Sequence, residues 1–398
     1  MRSMDSVRSH LNEYVSTVGK SPIRALFELS FDPNLISFAG GNPASELFDV
    51  DGLAKSFAHV MEIAGPRAMQ YASTDGEPEM RAAAAQRSTG MGVPTTASQV
   101  FITSGSQQGI GLLSQTLVNP GDVVLVENPS FVSALQAFGL QGAEFKPVDT
   151  DEAGVVPEAL DAAIRRWKPK AVYLIPTFQN PTGVTMPESR RRAVADIFAA
   201  HDTWLIEDDP YSELRYTEDQ QIPICADPRL DDRAFLLNTL SKVLSPGLRV
   251  GWVRGPEHIL ERLSVAKQAT ALQTSTIDQL AAAHYLAHTD LQATLDPIRA
   301  EYARRRDAML TGLREVLPPG SAMTEPAGGM FVWARLPEGY DASELVYDAI
   351  EAGTMFVPGA PFYVADPDPR TLRFSFVSNT PEVTRTGLER LAPVFRRG

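Results

Sequence analysis

In "NTLSKVLSPGLRVGW", residues 238–252, one lysine, Lys242, stands among Thr239, Ser241 and Ser245, and Arg249 follows a few residues later. A lysine kept for a salt bridge needs a carboxylate, whereas hydroxyls and an arginine are groups that bind anions. The stretch therefore predicts a ligand from outside the chain. Other polar groups stand directly after apolar runs. "VFIT" is followed by "SGSQQG", in which Gly105 and Ser106 lead into a helix expected to begin near Gln107. Free N–H groups at a helix start beside a hydroxyl form an anion cradle, although a serine there also serves as a simple cap. "VVLVE" is followed by "NPSF", which brings Phe131, by itself best read as a core phenylalanine. "AVYLIPT" is followed by "FQNPTG", in which Asn180 precedes Pro181 in what is by itself an ordinary turn. "WLIE" is followed by "DDPY", with the adjacent acids Asp208 and Asp209. A buried carboxylate must be paired, so a cation is expected to meet one of them.

The elements that must position these groups are legible in the same runs. "VFIT", "VVLVE", "AVYLIPT", "WLIED", "AFLLNTL" and "RVGWV" are apolar without alternation and are mostly separated by helical patterns such as "ESRRRAVADIFAAH". Such strands read as buried on both faces of a mostly parallel sheet with helical crossovers. Ligands of open α/β sheets sit beyond the carboxyl ends of the strands, where all the groups named fall. "DQLAAAHYLAHTDLQATLDPIRAEYARRRDAMLTGLREVL" then reads as long helix, and "GGMFVWARL", "TMFVPG" and "TLRFSFV" alternate with a helix. The expected architecture is a large α/β domain over 46–292, a smaller α/β domain over 293–398, and an N-terminal arm over 1–45 packing on the smaller one. The sequence shows no internal repeat and no low-complexity linker.

Composition narrows the function. A chain of 398 residues, 43% hydrophobic and 21% charged, has the profile of a globular protein of two domains. The net charge of −13 and pI near 5.0 argue against a nucleic-acid or anionic-membrane surface and favour a small-metabolite partner. One cysteine, Cys225, excludes an intramolecular disulfide framework and suits a reducing compartment. No apolar run approaches a membrane span, and "MRSMDSVRSHLNEYV" reads as polar and amphipathic, so a cytoplasmic setting is expected. Two familiar signals are dismissed. "YVSTVGKS" ends like a phosphate loop, but Tyr14 stands where that motif requires glycine. His284 and His288 share a helical face without a third ligand, which favours a solvated or core pair over a metal site.

Together the strand ends offer an anion cradle, a flat aromatic, an amide, an acid, an amine and an arginine. Pyridoxal 5′-phosphate uses them all: its phosphate, planar ring, phenolic oxygen, ring nitrogen and the aldehyde that condenses with a lysine. The chain also resembles the fold-type I pyridoxal-phosphate enzymes, in particular the class I/II aminotransferases of the 2-aminoadipate and aromatic branch. The likeness runs from "IRALFEL" and "ISFAGGNP" through "MQYASTDGEPEMR", "ITSGSQQG", "NPSF", "QNPTG", "EDDPYSEL" and "LSKVLSPGLRVGW" to "LRFSF".

The resemblance implies that Lys242 carries the cofactor as an imine and shuttles the substrate proton, that Asp208 pairs with the ring nitrogen, and that Tyr211 and Asn180 bind the ring phenolate. It places Phe131 on the ring, and Ser106, Gln107, Thr239, Ser241 and Arg249 on the phosphate; Phe131 and Thr239 stand where Tyr and Ser are commoner. It gives the substrate carboxylate to Arg373, helped by Asn180 and the backbone of Gly40 and Gly41. It sends Tyr71 to the phosphate of a neighbouring subunit, implying a homodimer with shared sites. The spacing of Ile23, Leu26 and Phe27 in "SPIRALFEL" by itself reads Arg24 as solvent-facing, whereas the resemblance sets it on a mobile helix over the site, able to meet a distal carboxylate of the substrate and to swing away for apolar side chains. The activity implied is ping-pong transfer of an amino group between an L-amino acid (aromatic, branched or aminoadipate-like) and a 2-oxo acid, usually 2-oxoglutarate. Other chemistry on the same cofactor, such as a β-lyase, decarboxylase or oxidase, is the alternative reading. A cofactor-sensing transcriptional regulator is disfavoured by the acidic balance.

Overall fold

The computed structural model describes residues 12–17, 29, 32, 34–217 and 219–396. A seven-stranded sheet forms its centre, with strands Val100–Thr103 (β1), Val123–Glu127 (β2), Glu144–Val148 (β3), Ala171–Leu174 (β4), Trp204–Asp208 (β5), Ala234–Thr239 (β6) and Gly251–Arg254 (β7). Their order across the sheet is β1-β7-β6-β5-β4-β2-β3. The apolar runs alternate between two buried faces: Val124 and Val126 pack into one core, Leu125 into the other. Helices Ser106–Leu117 (α3), Val132–Gly139 (α4) and Glu257–Thr270 (α7) cover the first face. Helices Pro157–Trp167 (α5) and Glu188–Ala200 (α6) cover the second. Helices Val50–Ala68 (α1), Pro78–Gly90 (α2) and Thr276–His288 (α8) gather at the β1 side, where Met80, Ala84, Ile102, Trp252 and Tyr285 form a further core.

The pairing from β3 to β6 is parallel, while β7 runs antiparallel to both β1 and β6. A parallel return needs a crossover of a dozen or more residues, and the link between β6 and β7 is shorter, a turn over 240–244 followed by the 3-10 turn Pro246–Leu248. That short link carries Lys242 and Arg249 across the end of the sheet. Arg249 does not open the strand: it closes the 3-10 turn with φ of 52°, and the strand begins at Gly251.

The long helix expected from 278 onward is broken. α8 ends at His288, and Leu291–Val316 (α9) starts anew because the Asp290 carboxylate accepts from Ala293 N, capping it. Leu291 and Leu295 of α9 pack with the β1-side core, while Tyr302, Met309, Leu310 and Leu313 pack with the C-terminal core. That C-terminal core lies around the antiparallel strands Ala322–Met323 (β8), Phe331–Arg335 (β9), Val357–Pro358 (β10) and Thr371–Ser375 (β11), in the order β8-β9-β11-β10, with helices Ala342–Glu351 (α10) and Pro381–Phe395 (α11). Residues Ile36 and Ser37 pair in parallel with Thr354 and Met355, and Phe38 is buried with its ring 6.1 Å from Phe374. Phe178, Tyr211 and Leu214, from the large sheet's loops, enter the same C-terminal core. The strand ends of the large sheet are thereby roofed by the smaller one.

Candidate active site

Asp208 ends β5 and is 2% exposed. One carboxylate oxygen, Oδ2, accepts a 2.7 Å hydrogen bond from the Tyr173 hydroxyl; the other, Oδ1, is buried with no partner. Burial pushes the acid up to about 7, against the Tyr173 hydrogen bond, which favours the ionised form. Asp209 is turned away, accepting from Ser212 N at 3.0 Å, and burial raises it to about 6. Among the described residues neither acid forms a salt bridge; the cation whose charge acts on one of them is Arg191, which lowers Asp209 against that burial and sits 3.8 Å from Glu207.

Lys242 lies just beyond β6. Its Nζ donates to Gly41 O at 2.8 Å, and burial, with Arg249 and Arg373 nearby, lowers the amine to about 8. An amine so displaced keeps a neutral, nucleophilic fraction near neutral pH. The hydroxyls beside it are organised: Ser241 Oγ lies 2.8 Å from Thr239 Oγ1, which donates to Val250 O.

The cradle forms at the start of α3, one residue earlier than Gln107. Gly105 precedes it with φ of 85° and ψ of 166°, a conformation that favours glycine. Arg249 Nη2 donates to Ser104 O at 2.7 Å and packs against Gly105 so closely that a Cβ there would meet it at 2.7 Å. Ser106 Oγ is buried without a partner. Gln107 is exposed, with its amide on Ser133 O at 3.2 Å, and Phe131 is half-buried at the start of α4.

On the roof, Arg373 projects from β11 and is 5% exposed. It donates through Nη1 to Asn180 Oδ1 at 2.7 Å and through Nη2 to Ala39 O at 2.8 Å. Its Nε is buried without a partner, and among the described residues no carboxylate pairs with it. Burial lowers it to about 10. The rings of Phe331 and Phe362 lie 4.1 and 5.1 Å from the guanidinium carbon, a clamp not foreseen from the sequence. Phe331 comes from β9, paired with β11, and Phe362 from the 3-10 turn Ala360–Phe362 that follows β10 on the other side of β11, and nothing local announces that meeting. Tyr211 is buried beside Asn180 and stacked edge-on to Phe331 at 6.2 Å; burial raises its phenol.

The structure thus gathers Asp208, Asn180, Tyr211 and Arg373 in one place, and Thr239, Ser241, Lys242, Ser106 and Arg249 in another, joined through Gly41. Gly40 is buried beside Gly41, where a Cβ would touch Phe331 at 3.0 Å. Tyr71 is not among them: it is 78% exposed on the surface. Arg24 lies outside the described residues. The dismissed pair, His284 and His288, stacks at 4.2 Å, and His59 stacks on His284 at the same distance.

Three of the buried polar atoms lacking a partner, Ser106 Oγ, Asp208 Oδ1 and Arg373 Nε, belong to this site. Buried polar groups in proteins are as a rule hydrogen-bonded, so three gathered at one site ask for a phosphate oxygen, a protonated nitrogen and a carboxylate. The residues present fit pyridoxal 5′-phosphate and an amino acid.

Comparison with known proteins agrees. The sequence profile of aminotransferase class I and II matches residues 33–391. Aromatic-amino-acid aminotransferase 1 of Thermococcus litoralis is 38% identical, the match covering 94% of this chain and 91% of that protein. The 2-aminoadipate transaminase of Thermus thermophilus is 36% identical, with 94% of each chain covered. The crystal structure of Pyrococcus horikoshii kynurenine aminotransferase, determined with PMP and with kynurenine and its product, superposes with a TM-score of 0.93 at 34% identity over 99% of both chains.

Proposed function

Because the chain belongs to the class I and II aminotransferases and works on pyridoxal 5′-phosphate, we propose that it moves the amino group of an aromatic, branched or 2-aminoadipate-like L-amino acid to 2-oxoglutarate in ping-pong fashion. The observation that carries this reading is an amine lowered to about 8, Lys242, placed between an anion cradle and an arginine that has no carboxylate of its own. When bound, the cofactor supplies the aldehyde that takes up the amino group and the ring that withdraws electrons from Cα.

The chain's own residues do the rest. Lys242 holds the cofactor and, once displaced by substrate, takes the proton from Cα and returns it one position along. Asp208, through its free oxygen, holds a proton on the ring nitrogen. Asn180 and Tyr211 hold the ring phenolate, and Phe131 covers the ring. Ser106, Gln107, Thr239, Ser241 and Arg249 bind the phosphate, joined by Tyr71 of a second subunit in a homodimer. Arg373 takes the substrate carboxylate through Nε and Nη2, with the Gly40–Gly41 backbone alongside. The Phe331–Phe362 clamp keeps the guanidinium plane fixed while this happens. Arg24 meets the distal carboxylate of dicarboxylic substrates. A cytoplasmic setting suits the single buried cysteine, Cys225; among the described residues no helix is long and apolar enough to cross a membrane.

Incubation of the purified enzyme with a panel of L-amino acids and 2-oxoglutarate tests the reading. Glutamate is expected to form in step with the new 2-oxo acid. Ammonia, carbon dioxide or peroxide released in its place would assign the chain a different chemistry on the same cofactor.

A further inference from the structure

Tyr173 sits on β4, fully buried, in register with Ile206 of the neighbouring parallel strand β5. Side chains two apart on a strand share a face, so Asp208 lies on the same face as Ile206, one step closer to the site. The phenol reaches diagonally to Asp208 Oδ2 at 2.7 Å. Its ring is packed edge-on against Phe138 of α4, with centroids 6.1 Å apart, and so is held in place. The two oxygens of Asp208 consequently differ: Oδ2 is committed to Tyr173, while Oδ1 is buried with no partner. A carboxyl group tethered at one oxygen cannot turn freely about its terminal torsion.

We propose that Tyr173 is a positioning residue for the ring-nitrogen partner: its hydroxyl fixes the Asp208 carboxylate with one oxygen engaged and the other presented to the cofactor ring. The inference rests on the reading of Asp208 given under Proposed function. The phenol donates this hydrogen bond without giving up its proton, since burial and the neighbouring carboxylate hold its own ionisation well above the ordinary range. The hydrogen bond favours ionised Asp208 against the burial that would neutralise it. Without it, the acid would keep its own proton at neutral pH and would be a poorer partner for a protonated nitrogen.

Tyr173→Phe removes one oxygen and keeps the ring on Phe138. The apoenzyme's affinity would be measured for pyridoxal phosphate and for its 1-deaza analogue, in which a ring CH replaces the nitrogen, with Asp208→Asn as the reference. The expected result for Tyr173→Phe is about tenfold weaker binding of pyridoxal phosphate, equivalent to about 1.4 kcal/mol, with unchanged affinity for the analogue. The Asp208 carboxyl, followed by infrared spectroscopy in the apoenzyme, should titrate at higher pH in the variant. Incorporating 3-fluorotyrosine at position 173, a stronger acid of nearly the same size, should move that titration down, and this measurement serves if Tyr173→Phe fails to fold. Equal losses for both ligands would reduce Tyr173 to a packing residue and overturn the proposal. So would unchanged affinities and an unmoved titration while Asp208→Asn still discriminates the two ligands. If Asp208→Asn itself does not discriminate them, the ring-nitrogen role of Asp208 falls and the proposal falls with it.

Discussion

Asp208 shows how an acid buried at the candidate site makes the stability of the cofactor-free fold depend on pH. Burial raises the acid from its ordinary 3.8 to about 7, so between those values the folded apoenzyme holds a proton that the unfolded chain has released. Stability contributed in this way is present in full below the lower value and is lost as pH rises through the upper one. Asn cannot ionise, so Asp208→Asn apoenzyme is expected to melt near the wild type at pH 4 and progressively above it towards pH 8. Thermal melts across that range check this, and a gap independent of pH would contradict it. With cofactor bound the order should narrow, because the wild type gains the ring-nitrogen pair that the variant lacks. Arg373 poses the complementary problem, a buried cation lowered to about 10 with no carboxylate partner. Arg373→Ala should cut kcat/KM roughly a hundredfold for every amino acid whatever its side chain, as expected for losing charge-assisted hydrogen bonds. Amines lacking a carboxylate should react as before. A loss confined to one side-chain class would move carboxylate recognition elsewhere.

At the level of elements, the site is made by the ends of β1, β4, β5 and β6 and by the tight return into β7. The cradle depends on one backbone conformation, Gly105 at φ of 85°, and on the Arg249 guanidinium filling the space that a Cβ would take. Gly105→Ala therefore carries strain of about 1–3 kcal/mol at the backbone and displaces Arg249 from Ser104 O. Cofactor affinity is expected to fall at least tenfold while the far-ultraviolet circular dichroism stays unchanged. Wild-type cofactor retention on dialysis would show that the phosphate is held elsewhere. The roof has a similar economy, since a single strand, β11, delivers Arg373 between the aromatic residues Phe331 and Phe362.

For the whole molecule, the open question is the second subunit. Tyr71 is 78% exposed, two residues from Met69 at 73%, and the next residue, Ala72, donates from its N at 2.6 Å to Gln273 Oε1, which follows Leu272 at 44%. An apolar surface of this kind suits a second copy of the chain. Mixing inactive Tyr71→Ala and Lys242→Ala proteins under exchange should restore about a quarter of wild-type activity, because half the dimers are hybrid and each hybrid has one intact site of two. No recovery, with hybrids shown to form, would place Tyr71 outside the neighbouring site.

The apolar, non-alternating runs determined a parallel sheet covered on both faces, and the polar residue after each run announced the site, because strand ends are where an open α/β sheet leaves backbone and side chains free for a ligand. Lys242, Asp208, Asn180 and Arg249 were legible for that reason. Four features were not. The antiparallel turn into β7 and the break at Asp290 depend on caps and connection lengths that hydrophobic pattern does not encode. The Tyr173 hydroxyl on Asp208 and the Phe331 ring on Arg373 join residues 35 or more positions apart, through strand register. Register is decided by the packing of whole sheets, so only the tertiary structure could show which buried rings and hydroxyls touch the groups of the candidate site.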